Sequence, residues 1–314
     1  MNSTSIIAVA VAIIAVAGIG AVFLMNGDSD DKRDTITVTM SWEKDIVEDI
    51  VGDRYRVASM MGSNVSPHED YSTPSNISDL YKSKLYFKIG SGVEWETAFF
   101  DAVQKDIPSS VIVVDIAKSI EYTPLPNTHH HHHDDEEHDH EEEHEESAYD
   151  PHIWTSPEIL RDIASLMAKK ISELDPTNAS EYAKNLKAYD ERIDAVDAKM
   201  REIAAIVGDE HTHVMVWHPA WQYLLEQYAE GFGADFHQES VEEDGEVSPA
   251  EAARIVIEEG CDSIFVSTTD EGYEGRKALE EAGITVHVVN PTADDMIKAV
   301  AEFLDFLKSD LQSA

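Results

Sequence analysis

Three histidines occupy contexts in which an imidazole could hold a metal ion. His68 lies in Ser66-Pro67-His68-Glu69-Asp70-Tyr71, and His152 in Asp150-Pro151-His152-Ile153-Trp154. His218 ends the run Val214-Met215-Val216-Trp217 and precedes Pro219. Neutral imidazole binds zinc-type ions through one nitrogen at about 2.0–2.1 Å. Its other nitrogen ordinarily needs an oxygen partner that fixes the tautomer, and Asp150 and Asp70 stand close enough in sequence to serve. Each histidine taken alone is more often a hydrogen-bonding surface residue than a ligand, and the three lie too far apart for a compact zinc-finger spacing. A second group, His129, His130, His131, His132, His133, His138, His140 and His144, sits among the ten acids of Asp134–Glu146. Clustered imidazoles and carboxylates make weak, exchangeable zinc sites.

The surrounding elements must bring the three separated histidines together. Residues 35–40, with β-branched alternation, read as a strand, followed by a helix over 43–51 that ends near Gly52 and a strand over 55–61. Further along, helices over 75–84 and 95–104 alternate with strands over 85–89 and 111–116. Strands alternating with helices predict a parallel sheet covered on both faces. Residues 124–149 break the pattern, hold almost no apolar side chain and read as a disordered surface loop. From 178 to 207 the apolar residues Tyr182, Leu186, Tyr189, Ile193, Val196, Met200 and Ile203 recur at helical spacing without glycine or proline. That predicts a helix of roughly 45 Å, long enough to act as a strut between lobes. The alternation then restarts with strands over 214–217, 263–266 and 285–289 and helices over 219–229, 248–259, 274–282 and 294–310. The helix at 248 carries a capping signature in Ser248, Pro249 and Glu251. Two of the three histidines follow strands directly, and ligands in open α/β sheets gather at the carboxyl ends of strands.

Composition narrows the partners. The 314 residues carry a net charge of −40, and setting aside the acidic loop leaves about −30. So negative a surface argues against nucleic acid and anionic membrane as partners and fits a body bathed in high salt. The lone Cys261 permits no intrachain disulfide and no thiolate cluster, and reads as a small buried residue. Residues 6–25 are apolar or small and uncharged, long enough for a membrane-spanning anchor, with a cleaved signal as the alternative. No cysteine follows that run, so lipid modification there is not expected.

The flanking residues carry a resemblance. Ser66-Pro67-His68-Glu69-Asp70-Tyr71-Ser72-Thr73-Pro74-Ser75 resembles the first metal motif of the zinc and manganese solute-binding proteins of ABC importers. Asp150-Pro151-His152-Ile153-Trp154 is similar to their second motif and His218-Pro219-Ala220-Trp221 to their third. Residues 174–178 with Tyr182 and Asn185 also match, and the resemblance covers 34–311. It implies two Rossmann-like α/β lobes with parallel sheets, joined by a long rigid linking helix, with metal at their interface. On that reading, 1–33 is an anchor or signal segment with an acidic linker and 34–176 the N-terminal lobe. Residues 177–207 are then the linking helix and 208–314 the C-terminal lobe.

The resemblance implies His68, His152 and His218 as ligands. At the fourth position many members have aspartate, where this chain has Asn290 in Val289-Asn290-Pro291-Thr292. Asn290 fits a turn residue as well as a ligand, and Glu69 is another oxygen donor. Loss of the carboxylate tilts the site toward zinc over manganese, as does the histidine-rich loop, typical of the zinc branch. The implied function is an extracytoplasmic, monomeric, membrane-tethered or secreted zinc-capture subunit delivering to a permease driven by a separate ATPase. The chain has no phosphate-binding Gly-x-x-x-x-Gly-Lys-Ser/Thr motif of its own. Two other classes remain open: a zinc hydrolase using three histidines and a water, and a metal-buffering adhesin without a permease.

Overall fold

A computed structural model describes residues 31–62, 73–127, 148–242 and 247–313. His68, Glu69, Asp70, the apolar segment 6–25 and the histidines at 129–144 lie outside the described residues. In the first half, β1 (Thr35–Val38), α1 (Ser41–Val51), β2 (Arg56–Ser59), α2 (Pro74–Lys82), β3 (Leu85–Lys88), α3 (Glu94–Val103) and β4 (Ile112–Asp115) alternate as the sequence predicts. The four strands form one parallel sheet in the order β2-β1-β3-β4. Apolar β1 is buried at every position, as expected of a central strand covered on both faces.

After α4 (Pro157–Leu174), capped by Ser156 with proline at its first position, comes α5 (Ala179–Val207), 29 residues long. At 1.5 Å per residue it spans about 44 Å. Its buried stripe is Tyr182, Tyr189, Ile193, Val196, Met200, Ile203 and Val207, with Leu186 only partly covered. Each fully buried aliphatic residue in such a stripe contributes about 1.5–3 kcal/mol. The helix ends at Gly208, whose φ of 62° suits a residue without a Cβ.

The second half repeats the first in topology though not in sequence. β5 (His211–Val216), β6 (Asp235–Ser240), α6 (Pro249–Glu258), β7 (Ser263–Val266), α7 (Glu271–Glu281), β8 (Thr285–Val288) and α8 (Met296–Ser313) give a parallel sheet ordered β6-β5-β7-β8. Each sheet thus has the same switch point beside its first strand, where a ligand crevice is expected. One continuous apolar core runs from Ile36 and Trp42 through the α5 stripe to Phe303 and Leu307, tying both sheets to the strut.

Four expectations need correction. The sequence reading places no strand over 235–240, where β6 forms; only Phe236, Gln238 and Ser240 are buried there, the pattern of an edge strand with one covered face. β5 begins three residues before the apolar run, since His211 and His213 are exposed. The helix after Pro219 starts later and is π-helical over Tyr223–Tyr228. The ends of the 124–149 insertion are held: Pro126 and Tyr149 form an antiparallel bridge, and the Asp150 amide donates to the Leu125 carbonyl at 3.0 Å. Cys261 is half-buried. Burial first, then the charges of Glu239, Glu259 and Asp262, push its thiol up to about 11, which leaves it inert as a nucleophile.

Candidate metal centre between the two sheets

His218 follows Trp217 at the carboxyl end of β5, the switch-point strand. β5 pairs with β6 in the register Val216↔Ser240, so two residues further on His218 stands opposite Glu242. The Glu242 carboxylate is gripped twice. Trp217 Nε1 donates to Oε1 at 2.7 Å, and Oε2 lies 2.9 Å from His218 Nδ1. Ser240 steadies the turn, donating from Oγ to the Trp217 carbonyl at 2.8 Å and accepting from the Glu242 amide at 3.2 Å.

His152 is 2 % exposed and is held by its own motif. Asp150 Oδ1 accepts the His152 amide at 2.9 Å and lies 2.7 Å from its Nδ1. Pro151 keeps the two residues in this tight turn. Tyr223, from the opposite lobe, donates its hydroxyl to the Asp150 carbonyl at 3.2 Å. From the first sheet, Ser91 Oγ donates to the Pro151 carbonyl at 2.6 Å. Ser91 is itself set by buried Glu96, whose carboxylate accepts from the Ile89 amide at 2.7 Å and the Gly90 amide at 2.6 Å. Burial pushes the Glu96 carboxyl up, and these bonds and that from Thr39 pull it back. Gly90 has φ 75°, and a Cβ there would meet Asp115 Oδ1 at 2.1 Å, so glycine is required.

The two imidazoles meet across the lobes. His152 Nε2 and His218 Nε2 are 3.4 Å apart, with ring centres 5.2 Å apart and planes 80° from parallel. An ion about 2.05 Å from each nitrogen would subtend an angle of about 112°, close to tetrahedral. Both Nδ1 atoms face carboxylates, the arrangement that directs the Nε2 lone pair outward in a metal-ligating histidine. Asp270, beyond the end of β7, has its carboxyl pushed up to about 7, mainly by burial and further by Glu242, against the pull of the Ser267 amide.

Trp154 completes the junction. It stacks on Trp42 at 5.7 Å between ring centres and donates from Nε1 to the Pro291 carbonyl at 2.7 Å. This bond joins the His152 segment to the loop that carries Asn290. Asn290 Oδ1 accepts from the Thr292 amide and Thr292 Oγ1, both at 2.8 Å, and from Ser267 Oγ at 3.4 Å. Its oxygen is thus engaged in a turn of the kind asparagine forms before proline.

Two of the predicted residues, His152 and His218, are therefore brought together, and Asp150 is a tautomer-fixing partner as its position suggested. Sequence reasoning missed Glu242. The signal was the strand register, which needed β6 to be recognised first.

The chain matches the family model for ZnuA, zinc-uptake complex component A, periplasmic, over residues 36–313. Among curated relatives, the iron-binding protein YfeA of Yersinia pestis is 29% identical over 209 residues, covering 65% of this chain and 60% of that protein. A putative metal-binding protein of Chlamydia trachomatis is 25% identical, covering 86% of this chain and 89% of its own length. The chain spans about three-fifths of the length of the first curated relatives it matches. In fold, it is similar to the crystal structure of ZnuA at TM-score 0.69 and 23% identity, covering 89% of this chain and 100% of that one. The periplasmic zinc-binding protein TroA from Treponema pallidum follows at TM-score 0.68 and 19% identity, with 89% and 99% covered. With a family match over nearly its whole length and two parallel sheets joined by one long helix, this chain belongs to the ZnuA family.

Proposed function

We propose that this chain is the extracytoplasmic metal-binding component of an ABC importer, with zinc as the ion it carries. Its partners are then a membrane permease and the ATPase that drives it. His152, His218 and His68 are the ligands. The observation that carries this reading is the pair of Nε2 atoms 3.4 Å apart across the two lobes, each ring backed by a carboxylate at Nδ1.

The ion is cargo, so binding must be tight yet reversible. Three neutral imidazoles suit zinc over manganese, which favours carboxylate and water oxygens. The commitment of Asn290 Oδ1 to its turn supports the same preference. Relatives carry names for iron, manganese and zinc, so the ion is argued here from donor chemistry. The continuous core through α5 supports release by local rearrangement at the cleft rather than by wide hinge opening. The arrangement is one of capture and transfer, in keeping with a family of transport components rather than enzymes.

Metal analysis of the chain with and without residues 129–146 tests the assignment. One tightly held zinc retained after deletion is the expected result. Loss of all tight binding would assign the capture site to the loop instead.

A further inference from the structure

Six histidines fall among the described residues, and three of them gather far from the cleft. β5 and β6 pair in the register His211↔Asp235, His213↔His237 and Met215↔Glu239. Because side chains alternate along a strand, His211 and His213 share one face with Asp235, His237 and Glu239. The ring centres of His211 and His213 are 5.0 Å apart, those of His213 and His237 5.8 Å, and those of His211 and His237 6.1 Å. Imidazoles sharing one tetrahedral ion stand about 5 Å apart between centres.

We propose that His213, Glu239 and Glu259, with His237 as the fourth donor, form a second binding site for a borderline divalent cation such as zinc, on the outer end of the second sheet. This site goes beyond the cleft reading and does not depend on it. Ligand atoms of His213, Glu239 and Glu259 already lie within 4.8 Å of one another. Donors at about 2.1 Å on a tetrahedral ion stand about 3.4 Å apart, so the side chains close by up to about 1.4 Å, which the exposed Glu259 side chain can supply. Glu239 Oε1 lies 2.8 Å from His213 Nδ1 and 3.8 Å from His237 Nε2, facing both rings. The other nitrogen of His237 is set by Glu226 Oε1 at 3.0 Å, the partner that turns Nε2 toward Glu239. Glu259 sits at the C-terminal end of α6, where the helix dipole adds negative potential and favours a cation. His211, its Nδ1 3.0 Å from Asp235, flanks the group.

The site is separate from the cleft. His213 precedes His218 by five residues along the strand direction, roughly 17 Å. It is also exposed, so its ion exchanges with solvent more readily than one held at buried His152.

The test counts zinc retained by the full-length chain in equilibrium dialysis at micromolar free zinc. The wild type is compared with His213→Ala/His237→Ala and, separately, with His152→Ala. The double variant is expected to hold one equivalent fewer than wild type while keeping the equivalent that His152→Ala removes. An unchanged count in the double variant overturns the second site, whereas an unchanged count in His152→Ala overturns the cleft assignment alone. A direct readout guards against misfolding: in the wild-type chain with 15N-labelled histidine, the His213 and His237 ring nitrogens should shift on zinc addition. Rings that stay unshifted at saturating zinc contradict the proposal.

Discussion

Glu242→Gln separates the two tasks of one carboxylate. In the native protein Oε1 accepts from Trp217 Nε1 at 2.7 Å and Oε2 faces His218 Nδ1 at 2.9 Å. A glutamine keeps an oxygen for the indole, which is 1 % exposed and would otherwise bury an unpaired donor. Its amide nitrogen then donates to His218 Nδ1. That places the imidazole proton on Nε2, the atom that faces His152 Nε2. The ring must switch tautomer or turn before it can ligate. Loss of such outer partners typically costs 10–100-fold in metal affinity, or about 1.4–2.7 kcal/mol. The metal-free Gln variant should melt close to wild type. Glu242→Ala, by contrast, should lose the affinity and also about 1–3 kcal/mol of stability through the orphaned indole. Competition against a chromophoric zinc chelator gives the affinities, and thermal melts of metal-free protein give the stabilities. A Gln variant that binds zinc as tightly as wild type would refute the tautomer argument, since geometry and packing are retained there.

Asp150→Ala removes the one oxygen that both accepts the His152 amide and faces its Nδ1, at a site only 3 % exposed; a 10–100-fold weaker zinc affinity in chelator competition is expected. Trp154→Phe removes the donor to the Pro291 carbonyl and should cost about 1–2 kcal/mol in denaturant unfolding, with the loop of Asn290 exchanging amide hydrogens faster. Asp45 has its carboxyl pushed up to about 7, by burial first and then by Asp295 and Asp49 around Arg192. The folded state holds this proton more tightly than the unfolded chain, so its contribution to stability is full below about pH 4 and lost as pH rises through about 7. A shift of three units unscreened is about 4 kcal/mol, but the side chain is about one-third exposed and about 1–2 kcal/mol is the expected size. Asp45→Asn should therefore raise the melting temperature by several degrees at pH 8, and by little at pH 4, with the gain shrinking in high salt.

The fold was legible wherever apolar periodicity survived. β1, β3 and β7 are apolar and central, and α5 announces itself through a buried stripe uninterrupted by glycine or proline. β6 was not legible, because an edge strand with one face toward solvent mixes Asp, His, Gln and Glu among its covered residues. That single omission hid both Glu242 and the His213–His237 pairing, since each depends on the β5–β6 register. In the cleft, the histidines could be named from their flanking motifs. Which nitrogen faces the partner could not, because it is decided by Asp150 in one lobe and by Glu242, reached through strand pairing, in the other. Asn290 shows the same limit: its position matches a ligand position in the resembling family, while its oxygen is held by Thr292 and Ser267.

The central claim is that His152 Nε2 and His218 Nε2 share one ion. A zinc-edge anomalous difference map of crystals grown with one equivalent of zinc tests it most directly. The account predicts one dominant peak about 2.0–2.1 Å from both Nε2 atoms, with His68 supplying a third nitrogen. A dominant peak away from this pair, with the two nitrogens still facing each other across an unfilled cleft, would contradict it.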